Sequence, residues 1–166
     1  MGALLSKKAA SMAISIISPS VIQLLRQSII LGGIFKRGQL HVVVLDPTSR
    51  WEQGAEIIDA VLAEYTFNED NRPLEGPYRD IALGKAMVSW RTGQPSGWVA
   101  QFAPHLLLPG DSKHRGSWVT DGIVTTASGV QGYFDEMVAK WLGAACSALS
   151  RHQMEAIILD KERDTV

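Results

Sequence analysis

The chain has 166 residues, 46% hydrophobic and 20% charged, with a formal net charge of −1. These values fit one globular domain, exclude a wholly disordered chain and argue against a dedicated nucleic-acid binder. The single cysteine, Cys146, excludes an intrachain disulfide and a cysteine-cluster zinc site.

The charge is unevenly spread. Residues 1–45 hold five basic residues (Lys7, Lys8, Arg26, Lys36, Arg37) and no acid, so the acidic excess lies entirely in the remainder. Residues 1–18 are expected to form an N-terminal extension. Met1-Gly2-Ala3-Leu4-Leu5-Ser6 fits a myristoylation pattern, with Lys7 and Lys8 as the basic second signal. Lys7-Lys8 followed by Ala9 to Ile17 also has the outline of a secretory signal, although no small-x-small cleavage site follows. The missing acids fit an organellar transit segment, and a plain mobile or docked extension fits as well. Pro19, Gln23 and Arg26 interrupt the apolar run, against a membrane span of about 20 residues.

A helix is expected to open at Pro19-Ser20, with Val21, Ile22, Leu24, Leu25 and Ile29 on a helical period, and to stop at Gly32-Gly33. Leu40 to Leu45 is a continuous apolar strand, which implies burial on both faces. Asp46-Pro47-Thr48 ends it. Glu56 to Phe67 is evenly balanced between helix and strand. Asn68 to Gly76 is a polar loop. Ile81 to Arg91 is a helix closed by Gly93 and Pro95. Gly97 to Pro104 is linker-like, and His105 to Leu108 a short strand.

Lys113-His114-Arg115 is a basic exposed loop. Trp118-Val119-Thr120, Asp121-Gly122 and Ile123-Val124-Thr125 form a hairpin, because Asp-Gly favours a two-residue type I′ turn. The strand continues through Ser128. A turn bounded by Gly129 and Gly132 leads into a long helix from about Tyr133. There Phe134, Met137, Val138, Trp141, Leu142, Ala145 and Leu149 make one apolar stripe. Residues 19–155 are the expected domain and 156–166 a charged tail. No internal repeat is present.

The element order, with particular residues, resembles the GlcG/HbpS-like family, also called the haem-degrading domain. The residues concerned are Leu40 to Pro47, Asp80-Ile81-Ala82-Leu83-Gly84-Lys85-Ala86, Gly122 to Gly129, and Tyr133-Phe134-Asp135-Glu136-Met137. The resemblance covers about residues 20–152. It implies an α+β fold of the profilin-like GlcG type, an antiparallel β-sheet with flanking helices, in which 56–67 is a strand beside 40–45. It further implies a small-ligand-binding protein, with haem as one ligand of the family, that assembles as a homo-oligomer. Two departures stand out: a longer loop from Asn68 to Tyr78, and Lys113-His114-Arg115 where many relatives are glycine-rich.

The ligand-binding candidates are His105, Lys113, His114, Arg115, Trp118, Ser128 and Gly129. The basic trio suits haem propionates or another anion, Trp118 offers a stacking surface, and Ser128 to Gly132 offers free N–H groups at a helix start. Each of these residues also has a plain structural reading. His41 reads as structural and His152 as a helix-end residue. No histidine pair has metal-site spacing, and no G-x-S-x-G elbow supports a triad of Ser128 with Asp46 and His41 or His105. Hence no catalytic residue and no metal site is assigned. Lys85, on an apolar helix, could hold an anion or an acidic partner if its stem is buried. The competing functional reading is an assembly subunit docked to a protein or membrane through residues 1–18. A cytoplasmic location is the first expectation, with organellar or membrane-anchored alternatives.

Overall fold

The protein is described from a computed structural model, over residues 4–30 and 38–160. The elements are α1 (Lys7–Ile30), β1 (Gln39–Leu45), β2 (Val61–Asn68), α2 (Tyr78–Thr92), α3 (Ser96–Phe102), β3 (Ser117–Thr120), β4 (Ile123–Ser128) and α4 (Gly132–Leu159). Single 3-10 turns lie at Trp51–Gln53 and Pro104–Leu106. The four strands form one antiparallel sheet in the order β2-β1-β4-β3. This is the expected α+β class, an antiparallel sheet with flanking helices.

Alternation along β1 divides the core. Leu40, Val42 and Val44 join Ala127, Val138, Leu142 and Cys146 in a cluster with α1 and α4. Val43 and Leu45 join Ala82, Leu83, Ala86 and Val124 in a smaller cluster with α2. Every residue of β1 is buried, as its continuous apolar run requires. Asp121 and Gly122 take φ of 50° and 80°, the positive values a type I′ turn demands, so the Asp-Gly hairpin forms as read.

Several expectations change. Residues 7–18 are not an appendage, because α1 begins at Lys7 and runs through Pro19. Ser6 accepts the Ala9 N–H at 3.1 Å and caps the helix start. Leu5, Ala9, Ala10, Ala13, Ile14 and Ile17 are buried in the main core with Val21 and Leu25. A proline inside a helix costs about 3 kcal/mol. The apolar stripe, buried on both sides of Pro19, offsets that cost. The boundary read at 18/19 therefore falls inside one packed helix. The Gly32-Gly33 stop lies outside the described residues.

The ambiguous segment resolves as strand β2, starting at Val61 rather than Glu56. Its two aromatics, Tyr65 and Phe67, meet edge to face at 4.9 Å. The stretch read as a linker holds α3, and the one read as a strand at His105 is a 3-10 turn. Proline at 104 suits a helical first position and cannot donate to a ladder, and Leu106–Leu108 pairs with no strand among the described residues.

Candidate functional site

On the α2 side of the sheet, the ends of β4 and α2 converge on the start of α4. Lys85 points inward from α2, between Ala82 and Ala86 of the buried stripe. Its ammonium donates to Asp135 Oδ2 at 2.8 Å and to the Ala127 carbonyl at 3.1 Å. Both side chains of this ion pair are 3% exposed. Asp135 Oδ1 accepts the Val130 N–H at 3.1 Å, and the Gly129 N–H also bonds to the carboxylate. Burial pushes the Asp135 carboxyl above the usual range, while Lys85 and the two N–H groups pull the other way.

Two glycines let the backbone close around this pair. Gly116 has φ 137°, and a Cβ there would stand 2.6 Å from Lys85 Nζ and 2.7 Å from the Ala127 oxygen. Gly129 has φ 153°, and its Cβ would run into the Gln39 carbonyl and the Leu40 backbone. The turn N–H groups expected to await an outside anion thus already serve Asp135.

A chain of buried serines fixes the basic loop above the pair. Ser117 Oγ donates to the Lys85 carbonyl at 3.0 Å, lies 2.5 Å from Ser89 Oγ and accepts the Ser96 N–H at 3.2 Å. Ser96 Oγ donates to the His114 carbonyl at 2.9 Å. The loop is therefore tied to both α2 and α3.

Around these residues lies a cavity of about 490 Å³, within the usual range for a small molecule. Lys113, His114, Arg115, Ser128 and Gly129 all line it, with Tyr78, Ile81, Val130 and Tyr133 as its larger walls. Five of the seven candidates thus meet at one place.

The other two do not. Trp118 faces the α4 side of the sheet, where the Lys140 ammonium sits 4.1 Å from its ring centroid. His105 lies in the exposed 3-10 turn and does not line the cavity. Strand alternation turns Trp118 to the α4 side, and His105 sits in a 3-10 turn rather than at the expected strand start. The hypothetical triad does not assemble either. His41 bonds to Thr66 Oγ1 at 2.7 Å and Glu64 Oε2 at 3.2 Å, while Asp46 accepts from Thr48. Burial holds the His41 pKa below its ordinary value. Cys146 is buried, and burial pushes its thiol up to about 12, so it is no nucleophile. Among the described residues no cluster of His, Cys, Asp or Glu could hold a metal ion.

The pairing that sequence reasoning missed is Lys85 with Asp135. Fifty residues separate the two, and Asp135 reads as a helix-dipole acid. The usable signal was a lysine on the buried stripe of α2, which demands an acid from elsewhere in the fold.

No protein-family model and no curated protein matches this chain.

Proposed function

We propose that the chain is a small-ligand-binding protein whose ligand is an anion held in the cavity between α2, the 113–115 loop and the start of α4. One observation carries this reading. Lys113, His114 and Arg115 converge on a cavity whose single lining acid, Asp135, is already neutralised by Lys85. The lining therefore keeps positive charge from Lys113 and from Arg115, whose one acidic partner, Glu136, is 3.8 Å away, and that charge favours carboxylate, sulfonate or phosphate groups.

Haem is the occupant that the GlcG/HbpS resemblance would supply, and the residues present fit it. His114 offers an imidazole at the wall, and Lys113 and Arg115 offer cations for the propionates. Bound haem would supply an iron centre whose absorbance reports its axial donor. A hemin titration of the purified protein tests this. A saturating Soret band that is lost in His114→Ala and kept in His105→Ala supports haem at this site. A featureless titration removes haem and leaves the anion reading to other ligands.

A second reading, docking through the N-terminal part, has one supporting observation. The outward side of α1 presents Lys7 and Lys8, with Met12 at 46% and Ile16 at 56% exposure, and no acid. That stripe suits an anionic membrane surface. Deleting residues 1–18 is the wrong test, because it removes core side chains. Co-sedimentation with phosphatidylserine vesicles, lost in Met12→Asp/Ile16→Asp, is the right one. Self-association is part of the same proposal, through the outer edges of β2 and β3, which end the sheet.

A further inference from the structure

Arg115 is held by shape more than by charge. A Cβ on Gly97 would stand 2.5 Å from Arg115 Cβ, and one on Gly132 would stand 2.7 Å from Arg115 Cγ. The aliphatic stem is thus clamped between the start of α3 and the start of α4, at two places where only glycine leaves room. Gly132 shows no positive φ, so the space, not the backbone, accounts for it.

The head group is loosely satisfied by comparison. Its nearest acid, Glu136, is 3.8 Å away and has a closer partner in Lys140 at 3.2 Å. Its contact with Gln101 is 3.4 Å long. The guanidinium lies 4.6 Å from the ring centroid of Tyr133, and that residue is 72% exposed. Arg91 shows what a structural arginine looks like in this chain. It binds Asp111 through two nitrogens, donates to the Leu106 carbonyl, and is 10% exposed against 30% for Arg115. A clamped stem, a weakly partnered planar cation and the exposed aromatic ring that the cation covers on one side together make a preorganised receptor for a flat, acidic molecule. The fork takes the acid group in bidentate fashion, and the ring takes the plane.

Resting on the reading that this cavity is the ligand site, we infer that Arg115 selects a planar aromatic ligand carrying an acid group, and that Gly97 and Gly132 are its positioning residues. Lys113 adds charge without direction. Arg115 sets which group is accepted and where it sits.

Two fluorescent probes with the same ring system test this: 8-anilinonaphthalene-1-sulfonate and its neutral parent N-phenyl-1-naphthylamine. Both are titrated against the full chain, with thermal melts confirming that each variant is folded. The sulfonate is expected to bind the unaltered protein more tightly than the neutral compound. Arg115→Gln should weaken the sulfonate by about tenfold, the scale of a charge-assisted bond, and leave the neutral probe unchanged. Arg115→Lys should restore only part of the loss, because an ammonium is not a fork. Gly132→Ala, which changes no charge in the lining but crowds the Arg115 stem, should weaken the sulfonate selectively as well.

Equal sulfonate affinity in Arg115→Gln, or equal loss of both probes, overturns the inference. Ile81→Trp, which fills the cavity, separates this from failure of the site itself. If Ile81→Trp blocks both probes while Arg115→Gln changes neither, only the role of Arg115 falls. If neither probe binds, or Ile81→Trp leaves binding intact, the cavity reading falls and the inference with it.

Discussion

The two faces of the sheet are built differently. Toward α1 and α4 the buried residues are almost all apolar, from Leu5 and Ala13 through Val42 to Leu142 and Cys146. Toward α2 the apolar cluster is small, and buried polar groups surround it: Gln39, His41, Lys85, Ser89, Ser117, Thr126 and Ser128. Gln39, His41, Lys85, Ser89, Ser117 and Thr126 each have a hydrogen-bond partner, as burial of polar groups requires. Ser128 has the cavity beside it. One face supplies cohesion without chemistry. The other gives up hydrophobic burial to place charges and hydrogen bonds at defined points.

Substitutions on each face sharpen or break this contrast. The largest effect is expected on the polar face. Lys85→Met leaves the Asp135 carboxylate buried without its cation, a loss of about 3–5 kcal/mol. Adding Asp135→Asn should recover part of it, and urea denaturation of the single and double variants measures both. On the apolar face, Leu142→Ala should cost about 3 kcal/mol through its cavity while leaving probe affinity unchanged. A matching loss of affinity would show that the faces are not independent.

Gly116→Ala comes next, at about 1–3 kcal/mol. The strained φ and the approach to Lys85 Nζ act together there, and affinity should fall with stability. The smallest effect is a pH dependence. The folded pKa of His41 lies below its ordinary 6.5. The unfolded chain therefore takes up a proton first as pH falls. The stabilising contribution of neutral His41 is whole above 6.5 and is lost as pH falls through the folded value. His41→Asn should flatten the stability profile in that window. Glu64, whose pKa is also lowered, adds a slope of the same sign further down, from 4.5. Asp135, raised by burial, opposes it in the acid range.

Much of the fold was legible in the chain. The apolar run of β1, the Asp-Gly hairpin and the stripe of α4 depend on local periodicity and turn chemistry, which sequence carries directly. Pro19 misled because a local breaker was overruled by packing on both of its sides. The 61–68 strand stayed ambiguous because its pairing with β1 is a tertiary fact. Within the site, Lys113, His114, Arg115, Ser128 and Gly129 could be named because basic loops and strand-to-helix turns carry sequence signals. Lys85 with Asp135, and the serine chain beneath the loop, could not be paired from sequence. Their partners are chosen by the fold across 50 residues for the ion pair and 18 to 32 for the serines. Trp118 and His105 lie away from the cavity, because adjacency in sequence gives neither the face of a sheet nor the course of a turn.

The most direct test of the central claim is chemical-shift mapping of ¹⁵N-labelled protein during titration with 8-anilinonaphthalene-1-sulfonate. The account predicts saturating shifts confined to the amides of Lys113–Arg115, Ser128–Tyr133 and the adjoining turn of α2 around Lys85. Shifts centred instead on the exposed apolar side chains of Trp98, Phe102 and Leu106, or on the apolar pocket beside Leu4 and Leu5, with the 113–115 loop silent, would contradict it.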